Sequence, residues 1–116
     1  MVNENLKQKR KDITTLARDE ILKENEGLMK VRLKKILEET TICESAGWHR
    51  IEYVIGENEL NPSNQYSKEQ MVTHFARGLC RRLRDSGLHA RCEPRTYSKD
   101  TSYPNSYSDA VISIRL

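Results

Sequence analysis

A chain of 116 residues with 36% hydrophobic and 32% charged side chains is sized for one domain around one modest core. Twenty lysines and arginines against 17 carboxylates leave a formal charge of +3, mean hydropathy is −0.79, and no run reaches the ~18 apolar residues of a membrane span. The opening MVNENLKQKRKD lacks the apolar stretch of a signal peptide, and the widely spaced Cys43, Cys80 and Cys92 form neither a short metal pair nor an even disulfide set.

Residues 1–12 are polar, charged and without periodicity, and read as a flexible arm ahead of a single domain over 13–116. From Ile13 to Ala46 the pattern is helical, with Asp12 or Thr14 as candidate caps. Leu22, Met29, Leu33, Ile36, Thr40 and Cys43 form one stripe, widened by Ile21, Leu28 and Ile42. A continuous helix of about 30 residues would be roughly 45 Å long, more than a domain of this size covers. It therefore breaks near Gly27, within Asn25-Glu26-Gly27, or its first half projects and pairs with another chain.

Gly47 ends that helix, and the period changes from 3.6 to 2. His49, Ile51, Tyr53 and Ile55 alternate with Arg50, Glu52 and Val54, which predicts a half-buried strand. Trp48 is expected to plug the gap between helix end and sheet edge. Glu57 to Tyr66 is rich in turn formers. Ser67, Gln70 and Gly87 then mark a capping box and a left-handed C′ residue around a second helix. Val72, Phe75, Leu79 and Leu83 share one face of it, and Arg77, Arg81 and Arg84 fall opposite. Leu88, Ala90 and Cys92 alternate as a strand that Pro94 is expected to stop. Thr96 to Ser108 reads as a long Tyr- and Ser-rich loop, and Ala110, Ile112, Ile114 and Leu116 as a last strand.

The expected fold is α+β: a long N-terminal helix, then β-α-β-β forming a small three-stranded mixed sheet with the helices on one face. A right-handed crossover would set the first two strands parallel, with the third returning antiparallel to the second. The opposite face would carry Arg50, Glu52, Val54, His89, Arg91, Glu93, Val111, Ser113 and Arg115.

Nothing in the sequence points to catalysis. The five glycines fall in no phosphate-loop spacing, and no G-x-S-x-G occurs. His89 and Cys92, three apart on a strand, face opposite ways. His74 and Cys80 diverge on their helix. No catalytic residue, metal ligand or cofactor is expected. Two kinds of contact are. Six arginines and no lysine lie between Arg77 and Arg95; guanidinium forks suit phosphates and carboxylates. Arg77, Arg81, Arg84, Arg91 and Arg95 are thus candidate nucleic-acid contacts. Tyr97, Tyr103 and Tyr107 supply contact area for a protein partner, or stacking surfaces for bases.

The order of segments resembles a type met among small uncharacterised proteins of large DNA viruses and tailed phages. The residues that carry the resemblance are the helix running to Ala46-Gly47, IEYVI at 51–55, the Ser67 helix ending DSGLHARC at 85–92, and DAVISIRL at 109–116. It implies a viral accessory or virion protein that works through contacts. The expected role is therefore non-enzymatic: protein–protein interaction or structure, with self-association through the first helix. Nucleic-acid binding by the arginine-rich helix face is the alternative. Free thiols and the missing export signal suggest a reducing intracellular compartment or a virion, with no membrane.

Overall fold

The computed structural model describes residues 15–98 and 106–116. The polar arm expected over 1–12 and the caps expected at Asp12 and Thr14 lie outside them. The fold is α+β: helices α1 (15–24) and α2 (Glu26–Ser45), strand β1 (Arg50–Gly56), a 3₁₀ turn (Glu57–Glu59), helix α3 (Lys68–Asp85), and strands β2 (His89–Ser98) and β3 (Ser106–Arg115).

The first helical segment is not one rod. A turn at Asn25, φ −114° and ψ 24°, separates α1 from α2, so the break precedes Gly27, which has open space around it. Asparagine stabilises the break with its side chain. Its Nδ2 donates to the Ile21 carbonyl at 2.9 Å, and its Oδ1 accepts from the Asn61 amide at 2.8 Å. Asn61 Nδ2 donates back to the Glu24 carbonyl at 2.7 Å. The loop after β1 is thereby laced to the α1–α2 junction, and the Arg32–Glu59 ion pair and the Tyr66–Glu20 hydrogen bond add to this.

Both long helices end the same way. In α2 the Trp48 amide donates to the Cys43 carbonyl and Gly47 to Glu44; in α3 Leu88 donates to Leu83 and Gly87 to Arg84. These are Schellman closures. Gly47 and Gly87 sit at φ 84° and 95°, where a Cβ would be strained. At the start of α3, Ser67 Oγ accepts from the Gln70 amide at 3.1 Å and Gln70 Oε1 accepts from the Ser67 amide at 3.0 Å, the reciprocal box that the sequence predicts.

The sheet differs from the expected one. Its order is β1-β3-β2, and β3 is antiparallel to both neighbours. It is antiparallel throughout rather than mixed. β1 and β2 do run the same way, as the crossover requires, but the last strand inserts between them and takes both sets of backbone partners. β2 is thus an edge strand, and an edge accepts a proline whose missing N–H would have faced outward. For that reason β2 runs through Pro94 to Ser98. The expected loop shrinks accordingly: Thr96 pairs with Ser108 and Tyr97 with Tyr107, leaving 99–105 outside the described residues.

The inner face carries Ile55, Ala90, Ala110, Ile112 and Ile114, all buried with Val72, Phe75, Leu79 and Leu83 of α3 and Ile21, Met29 and Ile36 of α1 and α2. Each fully buried large side chain contributes about 1.5–3 kcal/mol. α1 reaches α3 at Gly78, where a Cβ would stand 2.6 Å from Leu22 Cδ2. α2 is tied to β1 by the Tyr53 hydroxyl, which donates to Glu39 at 2.6 Å. Two expected packing residues are outside. Ile42, on the Val31 side of α2, and Trp48, in the turn that closes that helix, are 67% and 58% exposed.

Candidate functional site

Strand alternation fixes what the helix-free face shows, and register arranges it in rows. Arg50, Arg115 and His89 stand abreast on β1, β3 and β2. Glu52, Ser113 and Arg91 form the next row, then Val54, Val111 and Glu93, then Gly56, Asp109 and Arg95, and finally Tyr107 beside Tyr97. Directly opposed cross-strand residues of like charge are destabilising. The first row opposes Arg50 to Arg115, so this end of the face concentrates positive charge at some cost to the fold.

That end is also concave. A groove of about 1090 Å³ is lined by Arg50, Arg84, His89, Arg91 and Arg115, with Leu88 and Leu116 supplying apolar surface. Arg84 reaches it from α3 with its Nε donating to the Ala90 carbonyl at 2.8 Å. Arg50 meets Glu52 at 2.9 Å and Ser113 Oγ at 3.3 Å; both ionic side chains are largely exposed, so this pair holds Arg50 weakly. Among the described residues no ion pair engages Arg91 or Arg115. A second, smaller cavity of about 270 Å³ lies against the loop at Glu57 and Asn61, and one Glu57 carboxylate oxygen there is buried without a hydrogen-bond partner.

At the far end of the face, Arg95 forms a bidentate pair with the buried Asp109, at 2.9 and 3.0 Å, and lies over the Tyr97 ring at 5.4 Å. The Asp109 hydrogen bonds and charge, against some burial, raise the Arg95 pKa further above its ordinary range, with small contributions from Tyr97 and Glu93. This arginine is committed to the fold. A Cβ on Gly56 would collide with the Tyr107 hydroxyl, so Tyr107 rests on the sheet while Tyr97 is exposed.

The arginines singled out in the sequence are therefore not one surface. Arg84 and Arg91 share the groove. Arg95 lies on the Arg91 side of β2 but roughly 13 Å further along. Arg77 and Arg81 are exposed on α3 and do not line the groove. Tyr97 and Tyr107 pair across β2 and β3, and Tyr103 lies outside the described residues. Arg50, His89 and Arg115 join the site only through register, although alternation already placed them on the outer face.

Inside the domain, the thiol of the buried Cys80 on α3 is hydrogen-bonded to Cys92 on the inner side of β2. That bond, helped by Arg77 and Arg84 and opposed by burial, draws Cys92 below the usual thiol range. Cys80 moves up, through the same bond, burial and the charge of Cys92. His89 projects from the other face, so no thiol–imidazole pair forms there. Among the described residues, no group of three or more His, Cys, Asp or Glu could hold a metal ion, and no helix is long and apolar enough to cross a membrane. No protein-family model, curated protein or solved structure matches the chain.

Proposed function

We propose that this is a non-enzymatic binding domain whose working surface is the uncovered sheet face and whose partner is acidic. One observation carries the reading. Register sets Arg50, Arg115 and His89 abreast, with Arg84 and Arg91 around the same groove. A fold gains nothing by opposing arginines; an anion shared between them turns the repulsion into attraction. A viral accessory or virion role is compatible with a domain that works by contact alone.

Retention on a polyanion column tests this. The native chain is expected to elute at higher salt than Arg91→Gln or Arg115→Gln, and Arg115→Gln to be at least as resistant to heat as the parent. Equal elution of all three would remove the reading.

A second reading, self-association through the first helical region, has its own observation. Val31 and Ile42, exposed at 65% and 67%, lie about three turns apart on the same side of α2. Light scattering at several concentrations decides it: a constant monomer mass sinks self-association and leaves the basic face untouched.

A further inference from the structure

We infer that the basic groove seats the backbone of single-stranded nucleic acid, with a base stacked on Trp48 beside it. This rests on the reading of the uncovered face as the working surface and names its ligand.

The dimensions come first. Three strands spaced about 4.8 Å apart put Arg50, Arg115 and His89 across roughly 10 Å, and Arg91 lies one pleat further along the face. Arg50, Arg84, Arg91 and Arg115 thus spread positive charge along the groove, offset among the described residues only at Arg50 by Glu52, which suits successive phosphates rather than one. The groove, at about 1090 Å³, lies at the top of the range for small-molecule pockets and is half open to solvent rather than enclosing. A polymer segment lying along it fits better than a compact ligand.

The chemistry agrees. Four of the lining residues are arginine and none is lysine, which favours forked contacts to phosphate oxygens. Leu88 and Leu116, both partly exposed, give the groove the apolar surface that sugars and base faces cover. Trp48, the one tryptophan of the chain, is 58% exposed two residues before Arg50. The ladder reaches almost to it, since the Leu116 amide donates to the His49 carbonyl at 2.9 Å. An indole exposed to water two residues from Arg50 is the kind of platform on which unpaired bases stack without sequence preference. In a duplex those faces are already covered, which selects the single strand.

The experiment uses the full chain and a short oligothymidylate, following quenching of the single indole and the anisotropy of an end-labelled oligonucleotide. Saturable quenching is expected, with affinity falling as salt rises by a log–log slope of about −0.7 for each phosphate neutralised. Arg91→Gln and Arg115→Gln should each make that slope shallower by roughly that amount. Trp48→Leu should weaken binding about tenfold, read by anisotropy, while leaving the slope unchanged. Arg77→Gln and Arg81→Gln should bind as the parent does, and circular dichroism confirms that each variant is folded. Tighter binding to the matching duplex, or loss of binding in the Arg77 and Arg81 variants instead, would overturn the inference. If polyglutamate binds through Arg91 and Arg115 while the oligonucleotide does not, the acidic-partner reading stands and the nucleic-acid assignment falls. If neither binds, both fall.

Discussion

His74 sits half-buried on α3, and burial, then Arg77, then Arg18 lower its pKa below the ordinary value. In the unfolded chain it titrates near 6.5, so between the two values the unfolded state holds the proton more tightly. Stability therefore rises with pH across that window: the contribution is complete above about 6.5 and is lost as pH falls through the folded value. Thermal unfolding between about pH 7 and pH 5 is expected to show this as a falling midpoint that His74→Gln flattens. An unchanged slope in the variant would place the acid sensitivity elsewhere. Other side chains also act through particular partners. Asn25 gives up helical geometry yet satisfies both ends of its amide, and Arg95 exists to neutralise Asp109. Tyr53, partly buried and donating to the Glu39 carboxylate, is pushed above the usual phenol range and stays protonated.

At the level of elements, α3 is legible in the sequence because its signals are local. Ser67, Gln70 and Gly87 act within one turn of the residues they cap, and the apolar face repeats at a fixed period. Ser67→Ala should remove the Ser67–Gln70 box and cost about 1 kcal/mol, seen as a fall of a few degrees in melting temperature. A melt indistinguishable from the parent would mean the cap adds nothing. Face alternation in the strands is equally local, so the outer-face residues follow from the residue pattern alone. Strand order does not. Whether β3 joins the outside of β2 or slips between β1 and β2 depends on contacts far apart in sequence, and that choice assembles the Arg50–Arg115–His89 row. Pro94 is ambiguous for the same reason: its meaning changes with the strand's place in the sheet. Asn25 and Gly27 are both visible as weak points, but only the distant Asn61 decides between them.

Over the whole molecule, β3 is the element on which the rest depends. Ile112 and Ile114 are fully buried, and the strand hydrogen-bonds on both sides. Ile112→Ala should cost about 2–5 kcal/mol, a large share of the roughly 5–15 kcal/mol that holds a domain together. Urea unfolding is expected to shift to a lower midpoint as one transition, with hydrogen exchange loosening in β1 and β2 together. Two separable transitions would show that the hairpin β2–β3 folds independently of β1.

The central place of Ser106–Arg115 sets a timetable for synthesis. Gly56 is made about 50 residues before Ser106, and through that interval β1 has no neighbour to zip against. β2 follows α3 and is likewise unpaired until β3 joins it. A released chain lacking that segment would be a helical assembly bearing two orphan ribbons, the kind of species that chaperones hold. Only the arrival of this late strand closes the sheet, and its Arg115 is what brings Arg50 and His89 into one row.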